Sequence, residues 1–317
     1  MWVECIPNFS EGTDKKILEH LFITASERPG VRVLGLEGDV DHNRAVMTLA
    51  GDGEAVLQAV LAAATVAVRE IDLTRQTGTH PRLGSLDVVP FVPLGSTPMA
   101  YAVYLAERFG KAVGEDLGVP VYLYEHAASR PERKNLADVR RGQFEGLAAR
   151  MRVDPPDFGP GAPHPTAGAM AVGARFPLIA FNVFLTTDDL AIARAVARAV
   201  RGSSGGLVGV KALAMDTVHR GRVQVSLNLV DYPTTPLPTA IEMVRREAGR
   251  FGVAIAETEL VGLLPAQALM DSLRYYLQLP HLEANQVVEL ALAGSDYIPA
   301  NQSSLHFGGH GHSEEGV

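Results

Sequence analysis

The chain has 317 residues, 47% of them hydrophobic and 20% charged, with a formal net charge of −8 at pH 7. That length accommodates one large domain or two ordinary ones. The acidic balance argues against a nucleic-acid binder, yet leaves room for anionic small molecules wherever cations gather locally. No apolar run approaches the ~20 residues of a membrane helix, and a lone cysteine, Cys5, excludes an internal disulfide. The opening Met1-Trp2-Val3-Glu4-Cys5 lacks the basic segment of a signal peptide. The expectation is a cytoplasmic protein with no membrane partner.

Hydrophobic periodicity predicts a strand over 3–7, a helix over 14–27, strands over 31–36 and 44–50, a helix over 54–70 and a strand over 86–92. A helix over 98–117 and a short strand over 121–124 follow. After Arg175 the order begins again: strand 178–185, helix 188–200, strands 208–215 and 223–229, helix 237–251, strand 253–261. Each half reads β-α-β-β-α-β, the order of the ferredoxin-like split βαβ unit. The predicted class is therefore α+β, two ferredoxin-like subdomains in series with mixed or antiparallel sheets and helices on one face. The expected boundaries are 1–176, 177–282 and a C-terminal extension over 283–317, beginning with a helix over 283–292. Its end, with His306, His310 and His312 among glycines, reads as disordered rather than as a metal site. Exposed sheet edges predict a homodimer. In the strand 223–229, Gln224, Ser226 and Asn228 alternate with apolar residues, so this polar face either meets water or lines a groove.

Three segments carry candidate chemistry. The loop Thr77-Gly78-Thr79-His80-Pro81-Arg82-Leu83-Gly84-Ser85-Leu86-Asp87 places an imidazole between two glycines and beside a permanent cation. His80 is either a proton carrier near neutral pH or a turn residue bonded to backbone. The turn 37–44 concentrates Glu37, Asp39, Asp41, His42, Asn43 and Arg44. Most of these suit local turn bonding, although the carboxylates could face a cationic group. The connector 154–168 is stiffened by proline and opened by glycine, which suits a ligand wall better than a flexible linker. Arg130, Arg133, Lys134, Arg140 and Arg141 read as a solvated basic face.

Other patterns fail on context. Gly202-Ser203-Ser204-Gly205-Gly206 fits G-x-S-x-G but follows a helix and opens a strand, the reverse of a nucleophile elbow. Asp39 to Asn43 imitates a calcium loop, but Arg44 stands where glycine is required. No Walker loop, dinucleotide fingerprint or H-E-x-x-H occurs.

Val3-Glu4-Cys5-Ile6-Pro7-Asn8-Phe9-Ser10-Glu11-Gly12, Asp41-His42-Asn43-Arg44, Gly78-Thr79-His80-Pro81-Arg82-Leu83-Gly84, Pro120-Val121-Tyr122-Leu123-Tyr124, Asp157-Phe158-Gly159-Pro160, Gly173-Ala174-Arg175 and Val261-Gly262-Leu263-Leu264-Pro265 occur in this order. Together they resemble the glutamate formimidoyltransferase family, the formiminotransferase part of formiminotransferase-cyclodeaminase, over residues 2–280. The resemblance implies two α/β subdomains and transfer of a formimidoyl group from N-formimidoyl-L-glutamate to N5 of tetrahydrofolate, a co-substrate, in histidine breakdown, with no metal. It implies His80 as general base and acid, with Glu37 or Asp39 facing the amidine. Arg44 and Arg82 are expected to bind substrate carboxylates. The implied folate-binding loop is Gly159, Pro160, Gly161, Ala162, Pro163, His164, Pro165, Thr166, Ala167 and Gly168. Ala162, His164 and Thr166 depart from the family pattern, and Glu37 stands where aspartate is common. Too little chain follows Leu279 for a cyclodeaminase domain. Two other readings stay open: an N-formyl-L-glutamate:tetrahydrofolate formyltransferase, and a folate-binding module without turnover.

Overall fold

Pro7 has no amide hydrogen to give a ladder: the first strand, expected over 3–7, stops at Cys5 as β1 (Trp2–Cys5), and β2 (Asn8–Phe9) begins after the proline. The structure, a computed structural model, describes residues 1–40, 42–78, 81–217 and 221–293. Helix α1 (Lys15–Ser26) starts where the Asp14 carboxylate accepts the Lys16 amide at 2.9 Å. The hairpin β3 (Val31–Asp39) and β4 (Arg44–Asp52) follows, then α2 (Gly53–Glu70), capped by Asp52. After β5 (Leu86–Pro93) come α3 (Met99–Asp116), β6 (Val121–Glu125), the short helices α4 (Leu136–Val139) and α5 (Gln143–Met151), and β7 (Met170–Ala174).

β1 and β2 act as one interrupted central strand, since both pair antiparallel with β4 on one side and β5 on the other. The seven-stranded sheet continues through β7 to β6 in parallel pairings, and β3 lies at its other edge beside β4. Strand β7 and helices α4 and α5 have no counterpart in the predicted elements. They are short and owe their stability to what they pack against. Val89 and Phe91 of β5 join the core made with α2 and α3. Val88 faces the other way, among Tyr122, Tyr124, Leu147 and Met151. At β5 the sheet is thus covered on both faces, which is why all eight β5 residues are buried.

A β-bulge interrupts the β3–β4 register between Val33 and Gly35. Val31, Val33 and Leu36 all pack on the core. Without the extra residue Glu37 and Asp39 would share the inward face of Val31 and Val33. With it, they point outward.

The second half runs β8 (Ile179–Leu185), α6 (Leu190–Val200), β9 (Val210–Thr217), β10 (Arg222–Leu229), α7 (Leu237–Gly249) and β11 (Ile255–Val261). That is the predicted β-α-β-β-α-β order. Its antiparallel sheet is ordered β11-β8-β10-β9. Ile179, Phe181 and Val183 of β8 and Val223, Val225, Leu227 and Leu229 of β10 form one face against α6 and α7. The opposite polar face is graded: Asn228 is exposed, Ser226 half-buried and Gln224 buried. Helices α8 (Ala266–Leu277) and α9 (Val288–Ala293) follow. The His/Gly-rich end lies outside the described residues. Among the described residues no helix is long and apolar enough to cross a membrane.

Phe109 of α3 is fully buried, with its ring 5.8 Å from Phe91. Phe109→Ala is expected to cost about 3–5 kcal/mol, measured by equilibrium urea unfolding.

Candidate active site

The outward face of β3 and β4 carries Glu37 opposite Val46 and Asp39 opposite Arg44. With Gly38, Val40 and His42 these residues line an open cavity of about 600 Å³. Three of the predicted site residues, Glu37, Asp39 and Arg44, therefore share one wall. His42, read from sequence as a turn residue, joins them. Its Nδ1 lies 2.7 Å from the Asp39 carboxylate, which also accepts the His42 amide at 2.9 Å. An Nδ1–H donated to Asp39 would leave Nε2 as an acceptor. The signal for His42 was its position three residues after Asp39, which fits local turn bonding equally well. Asp41 lies outside the described residues.

The hairpin tip is locked to its neighbours. Asn43 adopts φ +47°, which suits asparagine better than most side chains. Its side chain accepts the Gly12 amide at 2.9 Å and donates to the Thr77 carbonyl at 2.8 Å. Gln76 donates to the Asn43 carbonyl at 3.0 Å. A side chain at Gly78 would come within 2.5 Å of the His42 carbonyl, so this glycine lets two loops touch.

His80 and Thr79 lie outside the described residues, but the chain on either side is closely bound. The Pro81 carbonyl accepts Arg140 Nη2 at 2.6 Å, and the Arg82 carbonyl accepts the Phe144 amide at 2.8 Å. Arg82 itself is mostly buried and reaches Glu145 at 3.0 Å. Its Nε, and Oε1 of Gln76, are buried with no hydrogen-bond partner among the described residues. Asp87 accepts the Leu83 amide at 2.7 Å and pairs with Arg140. Burial pushes the Asp87 carboxyl up, against the pull of Arg140, the Leu83 amide and Arg44. Burial, and then the like charge of Arg140, lower the affinity of Arg44 for its proton.

The connector meets the same loop. Ser85 donates its amide to the Ala167 carbonyl at 3.0 Å, Ala169 donates to the Leu83 carbonyl at 3.1 Å, and Leu73 donates to the Thr166 carbonyl at 2.9 Å. The other end of the connector is stapled to β6. Asp157 accepts the Leu123 amide at 2.7 Å and Arg133 at 2.6 Å. Arg133 also pairs with Asp154, and its guanidinium lies over the Tyr122 ring at 4.8 Å. Burial works against the charge of Asp154, but hydrogen bonds from Arg133 and Arg150 outweigh it and hold the carboxyl below its usual range. The expected solvated basic face is therefore corrected for two members. Arg133 is buried and Arg140 largely so, because each has acidic partners distant in sequence. Arg141 is exposed, as expected.

Gly159 (φ +83°) and Gly168 (φ +68°) turn the chain at the two ends of the predicted loop. Pro160, Gly161 and Ala162 are exposed between them, and Pro163 is half-buried. His164 and Gly168 exchange backbone hydrogen bonds of 2.9 and 3.1 Å. His164 Nδ1 also accepts the Ala167 amide at 3.0 Å and lies 3.4 Å from that of Thr166. Pro165 is exposed, and Ala167 is buried. The structure thus gathers 164–169, 81–87, 76–78 and the hairpin tip into one bonded group.

Burial holds the His164 pKa below the 6.5 usual for an imidazole, and Nδ1 can accept only when it carries no proton. As pH falls the unfolded chain takes up this proton first. The contact's contribution is therefore complete above pH 6.5 and is lost as pH falls through the depressed folded value. His164→Asn retains an acceptor that does not titrate in this range. Its melting temperature is expected to fall less between pH 7 and pH 5 than that of the parent, read by circular dichroism.

The chain matches the family profiles described as "Formiminotransferase domain, N-terminal subdomain" over residues 2–175 and "Formiminotransferase domain" over residues 180–294. It is 42% identical to a glutamate formimidoyltransferase of Streptococcus pyogenes serotype M1, covering 92% of this chain and 99% of that protein. It is 44% identical to a glutamate formimidoyltransferase of Thermoplasma acidophilum, covering 90% and 96% respectively. A formimidoyltransferase-cyclodeaminase of Gallus gallus is 40% identical, over 87% of this chain and 52% of that protein.

Proposed function

The chain belongs to the formiminotransferase family, and from that premise we propose that it uses His80 to move the protons of formimidoyl transfer. The activity is glutamate formimidoyltransferase: the formimidoyl group of N-formimidoyl-L-glutamate passes to tetrahydrofolate, releasing L-glutamate. N5 of tetrahydrofolate attacks the amidine carbon and forms a tetrahedral adduct. N5 then loses a proton, the bond from carbon to the glutamate nitrogen breaks, and that nitrogen gains a proton. One group that accepts and returns a proton near neutral pH serves both transfers, and His80 is that group.

The observation that carries this reading is the bonding of the residues around His80. Thr77 is tied to the cavity hairpin through Asn43, and Leu83 and Ser85 are tied to the connector. The chain on both sides of the proposed proton carrier is thereby anchored to the proposed folate loop, residues 159–168, and to the carboxylates. In the proposal Glu37 and Asp39 face the cationic amidine, and Arg44 and Arg82 take substrate carboxylates. The hydrogen-bond capacity at Arg82 Nε supports that role. The division at about residue 176 follows the two sheets, each proposed as a ferredoxin-like subdomain. We extend the reading to a cytoplasmic homodimer, for which the nine-residue edge strand β3 offers a pairing surface.

His80→Ala is expected to lower the transfer rate about 10²–10⁴-fold, followed optically with N-formimidoyl-L-glutamate and tetrahydrofolate. Retention of the rate within a few-fold would remove the general-base role. Under the same conditions N-formyl-L-glutamate is expected to be the poorer donor, and equal turnover of the formyl compound would overturn that specificity.

A further inference from the structure

We propose that Asp87 and Arg140 form a positioning pair for the transfer reaction, anchoring the chain immediately after His80. The inference rests on the reading of His80 as the proton carrier, and it extends that reading to two residues that act through the backbone beside it.

The geometry is compact. Asp87 is the second residue of β5 and its side chain is 3% exposed, whereas Arg140 directly follows α4 with a side chain 17% exposed. One oxygen of Asp87 accepts the Leu83 amide at 2.7 Å, and the other pairs with Arg140 Nη2. That same Nη2 donates to the Pro81 carbonyl at 2.6 Å. A single buried carboxylate thus fixes residue 83 directly and residue 81 through one guanidinium. Pro81 is bonded in sequence to His80, so the anchor acts one peptide unit from the imidazole-bearing residue. Proline restricts the residue before it, so the fixed position of Pro81 bears on the residue joined to it.

Charge is required for this arrangement. An amide at position 87 keeps an oxygen for Leu83 but no longer offers Arg140 a counterion. The cavity arginine Arg44 also feels the Asp87 charge and is repelled by Arg140. The neutral variant would remove the carboxylate that pairs with Arg140 and loosen its hold on the Pro81 carbonyl, whereas Arg44 keeps the charge of Asp39 beside it. Misplacement of a reacting group by about 1 Å lowers rates by ~10²-fold. Binding contacts elsewhere in the site would be largely spared.

The test compares Asp87→Asn, Arg140→Gln, Arg140→Lys and the double variant Asp87→Asn/Arg140→Gln in steady-state transfer assays, with His80→Ala alongside. Arg140→Gln is expected to lose about ten- to a hundred-fold in kcat, with KM for both substrates within about threefold of the parent. Arg140→Lys keeps a charge and a donor and is expected to recover most of the loss. The double variant should be little worse than the weaker single one, because the residues act as one unit. A kcat within threefold for a folded Arg140→Gln, a loss confined to KM, no recovery in the lysine variant, or fully additive losses would each overturn the pair. Circular dichroism checks folding, and if Asp87→Asn does not fold, the Arg140 variants at the more exposed position decide alone. An active His80→Ala would remove the reading of His80, whereas an inactive His80→Ala with an unaffected Arg140→Gln removes only the anchor.

Discussion

Three residues, Leu83, Gly84 and Ser85, are the crossing on which the site depends. Their backbone is shared by two distant segments. Ser10 gives its amide to the Ser85 carbonyl at 2.9 Å and its hydroxyl to that of Gly84 at 2.7 Å. Ala167 and Ala169 engage Ser85 and Leu83 from the connector. A side chain on Gly84 would strike the Ala169 carbonyl, so only glycine permits this approach. Buried backbone groups need partners, and here each partnership also sets the distance between two loops of the candidate site. The central strand, the His80 loop and the connector are held together before any ligand enters.

The electrostatics follow from the same convergence. The chain is acidic overall, yet its buried arginines cluster where the loops meet. Arg133 binds the connector to β6 through Asp154 and Asp157, and Arg140 serves Asp87. Paired charges of this kind cost desolvation and recover it only through well-placed partners. Their value therefore lies as much in fixing one geometry as in raising stability. The cavity wall keeps both signs in reach, with Glu37, Asp39 and Arg44 side by side. That mixture suits a reaction in which a cationic amidine and carboxylate-bearing substrates meet in one place.

Much of this was legible in the sequence, for reasons specific to each element. The strict alternation from Val223 to Leu229 leaves one choice of face, and β10 lies as that alternation demands. Proline and glycine marked the connector as stiff, and it is bonded at both ends. Short elements such as β7, α4 and α5 were not readable, because their apolar residues are too few to show a period. Nor was the burial of Arg133 and Arg140, since a run of basic residues says nothing about carboxylates 21 to 53 positions away. His42 had a turn explanation that was complete in itself. Only the shared cavity gives it a second reading.

The bulge at Val33 to Gly35 makes β3 behave like a text with a reading frame. Upstream of it odd-numbered residues face the core, and downstream of it they face the cavity. Replacing one acidic side chain by another near Glu37 alters reach by a methylene and leaves the frame intact. Removing a single residue between Val33 and Glu37 would turn both carboxylates inward, towards α1, and present Leu36 to the cavity. In this hairpin length is therefore more tightly constrained than chemistry, and sequence change can proceed by substitution where it cannot proceed by deletion.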